Sequence, residues 1–160
     1  MRYIWVPWSA TGTVGYGINI ALGGADLLSY YSSMSGREVA PGMTVLRLRG
    51  QVALLQASGA LVNERASVAI GMVPKGGLET APDLTSDNAD VLWRWDGIII
   101  NPTYEYASGS FAQKADVIEI NSKAKRKITR MSDELSFFVT NDGTQTLTVT
   151  TKGVALIGVH

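Results

Sequence analysis

The sequence predicts an all-β fold, an antiparallel β-sandwich of jelly-roll type with one short helix near residues 25–35. Three observations carry that expectation. Apolar and polar residues alternate with a period of two along much of the chain, as in strands with one buried face. No segment alternates strand and helix in the βαβ manner, which leaves out doubly wound parallel sheets. The spacers 75–88 and 101–114 are longer than hairpin turns, which favours Greek-key or jelly-roll wiring over a meander. The 160 residues fit a single domain, 1–160, with no internal repeat, low-complexity tract or dividing linker. A chain of this size buries roughly 70% of its unfolded surface and folds without staples.

The elements follow in order. In 13–22, Val14, Tyr16, Ile18, Ile20 and Leu22 share one face, opposite Thr13, Gly15, Gly17, Asn19 and Ala21. That pattern predicts one half-buried strand whose small-residue face admits close backbone approach. Leu27, Leu28, Tyr31 and Met34 then take helical spacing and Gly36 stops them, so a helical turn is expected over 25–34. Strands resume at 44–55, with Leu46, Leu48, Val52 and Leu54 opposite Arg47, Arg49 and Gln51. In 60–73, Ala66, Val68, Ile70 and Met72 oppose Asn63, Arg65 and Ser67. An aromatic-rich strand at 91–100 and a short one at 116–121 come next. Segments 135–140 and 146–151 flank Asn141-Asp142-Gly143-Thr144, whose Asp-Gly predicts a hairpin. Gly153 sets off a last apolar strand, 154–159, expected to lie inside a sheet.

Composition restricts function. The only histidine is His160 and there is no cysteine. A Ser-His-Asp or Cys-His arrangement therefore lacks its base or nucleophile at any ordinary position, and histidine- or thiolate-based metal sites lack their ligands. Paired carboxylates (Asp90 with Asp96, Asp133 with Glu134) are the remaining catalytic option, against the simpler reading that exposed acids are solvated. Gly12-Thr13-Val14-Gly15-Tyr16-Gly17 has the order G-x-x-G-x-G with no helix after it, so it lacks the helix N-terminus of a phosphate loop. Glu79, Asp83, Asp87 and Asp90 lack EF-hand spacing and fit a solvated acidic connection. The expectation is a non-enzymatic protein with no cofactor, no metal and no small-molecule substrate. No signal-peptide pattern, membrane-length apolar run or usable glycosylation sequon is seen, which points to synthesis in the cytoplasm and no membrane partner.

Fourteen cations balance fourteen acids. Overall neutrality argues against wrapping nucleic acid by global charge and removes a barrier to self-association. Two features stand out locally. The tryptophans come as close pairs, Trp5/Trp8 and Trp93/Trp95, and are read as core fillers or subunit-interface anchors; the second pair could alternatively stack bases or sugars. Within 121–130, Lys123, Lys125, Arg126, Lys127 and Arg130 occur without an acid. Three readings stay open for this strip. It is a phosphate-binding patch, a solvated edge strand guarded by lysines, or a partner for the acidic 79–90 connection of another subunit.

Two segments carry a resemblance. Thr44-Val45-Leu46-Arg47-Leu48-Arg49-Gly50 resembles the early strands of a group of small virus- and phage-derived proteins found in environmental sequences. Ser122-Lys123-Ala124, followed by Arg126-Lys127, looks like that group's second recurrent motif. The resemblance implies a virion-associated protein of single jelly-roll coat type, made in the host cytoplasm, whose partner is itself, as a homo-oligomer or shell, with packaged nucleic acid as a further partner. In a self-assembling subunit, Trp5, Trp8, Trp93 and Trp95 are expected as interface anchors, and Arg47 and Arg49, opposite the apolar face of their strand, as partners in inter-sheet or inter-subunit ion pairs. The same features would suit a decoration or tail component, or a β-sandwich module binding carbohydrate or single-stranded nucleic acid. One departure is plain: many such coats carry an Arg-rich N-terminal arm, whereas residues 1–7 contain only Arg2.

Overall fold

The computed structural model describes residues 2–26, 30, 33, 34, 42–56, 64–74, 90–99, 103–107, 110–128 and 133–160. Ten strands are present: β1 (Arg2–Val14), β2 (Asn19–Asp26), β3 (Met43–Gln56), β4 (Glu64–Pro74), β5 (Asp90–Ile99), β6 (Thr103–Ala107), β7 (Ser110–Lys114), β8 (Asp116–Ile128), β9 (Asp133–Asn141) and β10 (Leu147–Val159). Eight of them form two four-stranded antiparallel sheets, ordered β1-β10-β3-β8 and β2-β9-β4-β5. Strands β6 and β7 pair as a separate hairpin between β5 and β8. Among the eight, every step along the chain except β4 to β5 changes sheet. That rolled-up double Greek key is the jelly roll.

Apolar faces explain the layering. Val6, Val14, Val45, Leu48, Val52, Leu54, Ile120, Leu147, Val149 and Ile157 are buried from the first sheet, and Val68, Ile70, Leu135, Phe137 and Val139 from the second. Their alternation with exposed residues along β1 and β10 fits one face in and one face out.

Trp8 shows how the core constrains sequence elsewhere. Its indole lies over Gly50 and Gly153, which face each other across β3 and β10. A Cβ at Gly153 would overlap the Trp8 ring and the Arg49 carbonyl, and one at Gly50 would overlap backbone of Lys152 and Gly153. The indole Nε1 donates to Thr151 Oγ1 at 3.2 Å, and that hydroxyl donates to the Gln51 carbonyl at 3.0 Å. Gly153 is thus a clearance for an aromatic ring, and β10 runs through it unbroken, contrary to the break expected there.

Other expectations are corrected. Residues 13–22 are not one strand: the chain turns at 15–18, where Ile18 N–H donates to the Gly15 carbonyl and Gly17 takes φ 70°. The third residue of such a turn needs the left-handed conformation that glycine adopts without strain. In β3, Leu46 is skipped in the pairing with both β10 and β8. This bulge turns Val45 inward and leaves Leu46 only partly buried, in place of the expected Leu46–Leu48 face. Residues 25 and 26 belong to β2, while Tyr30, Ser33 and Met34 are helical and the rest of the expected helix lies outside the described residues.

The Asp-Gly segment is not a hairpin. β9 pairs with β2 and β4, whereas β10 pairs with β1 and β3, so 142–146 crosses between sheets. Asn141 explains the preference. Its Nδ2 donates to the Val14 and Gln145 carbonyls at 3.0 and 2.8 Å, and its Oδ1 accepts from Gly143 N–H at 3.0 Å. The buried Glu64 carboxylate accepts from Thr144 N–H at 2.9 Å and Thr144 Oγ1 at 2.6 Å. These bonds substitute for the ladder that a hairpin would have supplied.

Candidate interaction surface

The register places the predicted residues relative to one another. Across the first sheet, Trp5 (β1) faces Leu156 (β10), Leu156 faces Arg47 (β3) and Arg47 faces Lys123 (β8). The parallel row is Pro7, Val154, Arg49 and Asn121. Trp5, Arg49, Asn121 and Lys123 are exposed and Leu156, Val154 and Arg47 partly so, which sets both rows on the outer face. With strands about 4.8 Å apart, each row spans roughly 14 Å. The two segments that carried the resemblance, on β3 and β8, are therefore neighbours in one ladder.

Aromatic and cationic groups meet on this face. Tyr3 and Trp5 are 61% and 44% exposed. Arg47 Nη2 donates to Asn121 Oδ1 at 3.2 Å, while its Nε is buried without a hydrogen-bond partner. Lys152 is exposed on β10 in the next row, paired with Gln51, which in turn faces Glu119.

Charge is divided between the sheets. The strands of the first hold eight cations (Arg2, Arg47, Arg49, Lys123, Lys125, Arg126, Lys127, Lys152) and two acids (Asp116, Glu119). Those of the second hold two cations (Arg65, Arg94) and six acids (Asp26, Glu64, Asp90, Asp96, Asp133, Glu134). The neutral total conceals a sandwich with opposite charge on its two layers.

β8 is an edge of the first sheet, so the basic strip occupies an edge strand; Arg126 and Lys127 pair through the backbone with Val45 and Thr44. Arg130 lies outside the described residues, as do Glu79, Asp83 and Asp87, whereas Asp90 opens β5. Pro7, which has no N–H, is accommodated because β1 is the opposite edge.

The tryptophans behave differently from expectation. Trp5 and Trp8 are three apart on one strand and therefore face opposite ways. Trp5 is outside, while Trp8 is 6% exposed and belongs to the core, so the interface anchor expected at Trp8 is a core filler. Trp93 and Trp95 do share a face, but it packs partly buried against the core. The exposed aromatics of the outer face are instead Tyr3 and Trp5, a pair two apart that the spacing rule identifies and that attention to tryptophan alone passes over.

On the second sheet, Arg65, Ser67, Arg94, Asp96, Gly97 and Asp142 line an open polar concavity of about 580 Å³. Ser67 Oγ donates to Asp96, and Arg94 forms an ion pair with it at 2.8 Å. The Ser67 hydrogen bond, then the Arg94 contacts, hold the Asp96 carboxyl below its ordinary pKa, against the opposing effect of burial. Asp96 is thus a structural anion. His160 is tied by its N–H to the Gly42 carbonyl at 2.9 Å and by its ring Nε2 to Thr44 Oγ1 at 3.0 Å. No group of three or more metal-binding side chains occurs among the described residues, and none of their helices is long and apolar enough to cross a membrane.

Comparisons with known proteins add the following. Among solved structures, the chain is similar to one from Desmodium yellow mottle tymovirus, at 14% identity and a TM-score of 0.37, covering 99% of this chain and 87% of that one. It is similar to the VP2 subviral particle of infectious bursal disease virus at 10% identity and a TM-score of 0.39, covering 99% of this chain and 33% of the other. For the Gx strain of that virus the values are 12% and 0.25, with 98% and 41% covered. This chain thus spans between a third and two-fifths of the two bursal disease virus chains. No protein-family model and no curated protein matches it. The jelly-roll assignment rests on the strand order of the chain itself.

Proposed function

We propose that this protein is a structural subunit of a virion coat, associating with copies of itself into a shell. One observation carries the reading: a jelly-roll sandwich presents large apolar side chains to solvent at several separate places. Tyr16 and Ile18 at the β1–β2 turn are 68% and 46% exposed, and Val91 and Ile98 on the edge strand β5 are 38% and 55% exposed. Exposed apolar groups distributed around a rigid sandwich suit a subunit with several neighbours. Trp93 and Trp95, on the same edge strand, would stiffen it beneath a subunit contact. The neutral total charge and the layered distribution of sign support close packing of copies. Residence in the virion follows from the role.

Negative-stain microscopy and light scattering of the purified protein test this. Particles or large oligomers are expected, and Ile98→Lys is expected to reduce them without unfolding the sandwich. A strictly monomeric protein at high concentration, at both low and high salt, would falsify the coat reading.

A further inference from the structure

We infer that the outer face of the β1-β10-β3-β8 sheet binds single-stranded nucleic acid. Tyr3 and Trp5 would stack bases, and Arg47, Arg49 and Lys123 would contact phosphates. The inference stands independently of shell formation.

The ligand class follows from what the face combines. Exposed aromatic rings on the same sheet face as cations recognise a polymer that has both planar rings and regular negative charge. The aromatic side is β1 and the cationic side is β3 and β8, joined by the apolar bridge of Leu156 and Val154. A strand of nucleic acid laid along this face could therefore set bases on one side and phosphates on the other. Duplex hides its base faces inside the stack, so Trp5 would gain nothing from it. An acidic peptide would engage the cations and leave the aromatic rings unused. Global neutrality sharpens the case, because attraction of a polyanion must come from the excess of cations on this sheet and not from the molecule as a whole.

The test is fluorescence anisotropy with a short labelled single-stranded oligonucleotide, its duplex, and polyglutamate as competitor, over a salt series. Single strands are expected to bind more tightly than duplex. Trp5→Ala is expected to weaken binding about tenfold, with Trp5→Phe restoring part of it. Lys123→Ala and Arg49→Ala should each lower the slope of log affinity against log salt by about 0.7. Circular dichroism confirms that each variant is folded, and light scattering of the same variants reads assembly separately.

Absence of binding at low salt overturns the inference. So does binding that Trp5→Ala leaves unchanged, or that polyglutamate abolishes as effectively as unlabelled oligonucleotide, which would make the face a general acidic-partner site. If Trp5→Ala disrupts assembly and not oligonucleotide binding, the face is a subunit contact and the inference fails while the coat reading survives. If the wild-type protein binds single strands through these residues without ever assembling, the coat reading fails and the inference stands.

Discussion

The two sheets solve the same packing problem with opposite surfaces. Both turn an apolar face inward, yet the β1-β10-β3-β8 sheet leaves its outer face open, whereas β4 and β9 are covered on both faces. On those strands Ala69 and Phe138, which alternate with the core residues, are also fully buried. The first sheet carries the cations and exposed aromatics, and the second the acids and an internally paired polar cluster. A sandwich needs only its inner faces to fold. Its outer faces are therefore free to differ, and here one is open and charged while the other is largely covered.

The largest predicted effect lies at the packed centre of the open sheet. Trp8→Ala removes an indole from the core and its bond to Thr151, and should cost about 3–5 kcal/mol by urea unfolding. Gly153→Ala should cost about 1–3 kcal/mol, because the new methyl meets both the Trp8 ring and rigid Arg49 backbone. Gly97→Ala on the second sheet has the Trp95 ring as its nearest neighbour. That ring is only partly buried, and no rigid backbone is among the nearest atoms, so the loss should be smaller than at Gly153. Equal losses at 97 and 153 would contradict the picture of one rigid and one yielding glycine contact.

Part of the fold is legible because local patterning survives any choice of partner: β3 and β4 can be read from alternation, β5 from its aromatic content and the end of β10 from its apolar run, whereas most of β1 is not. What escapes is set by partners far along the chain. Gly153 reads as a strand break until Trp8, on another strand, is seen to occupy its space. Asp142-Gly143 reads as a hairpin until Asn141 and Glu64 tie the segment into a crossover. Leu46 reads as core until a bulge, visible only in the pairing of β3 with two neighbours, moves Val45 inward. The surface shows the same division. Arg47, Arg49 and Lys123 are identifiable as unusual, but their adjacency depends on the β3–β8 register. The charge asymmetry of the sheets cannot be seen at all without the strand order.

The crossover supplies the next effect. Glu64→Ala removes the acceptor of the Thr144 N–H and hydroxyl, and since Thr144 is exposed and water can replace that acceptor, the loss should be about 0.5–1.5 kcal/mol. Glu64→Gln keeps one carbonyl oxygen and should lose less. Thermal unfolding of the two variants orders them, and an identical loss would mean that packing, not acceptance of the Thr144 bonds, is what Glu64 contributes.

Surface substitutions sharpen the comparison at lower cost. Arg49→Glu and Arg94→Ala should each change stability by no more than about 0.5 kcal/mol. Only the first should alter oligonucleotide affinity, since Arg94 lies on the other sheet and is already paired with Asp96. Equal effects of the two on binding would mean that total charge, not the cationic sheet, attracts the polyanion.

The smallest effect is a pH dependence confined to the second sheet. The folded protein holds the Asp96 carboxyl below its unfolded pKa, chiefly through Ser67 and then through Arg94. Folding therefore favours the ionised form, and the stabilisation is fully present above the ordinary aspartate range near 3.9. It declines as pH falls below that range and vanishes once the pH passes beneath the lowered folded value. Asp96 is 52% exposed on its side chain, so solvent screening limits the contribution to about 0.5 kcal/mol. Unfolding of the wild type and Asp96→Asn should accordingly differ at neutral pH and converge in acid. A difference that persists unchanged below the folded pKa would assign the effect to the shape of the side chain, and not to the charge that Ser67 and Arg94 stabilise.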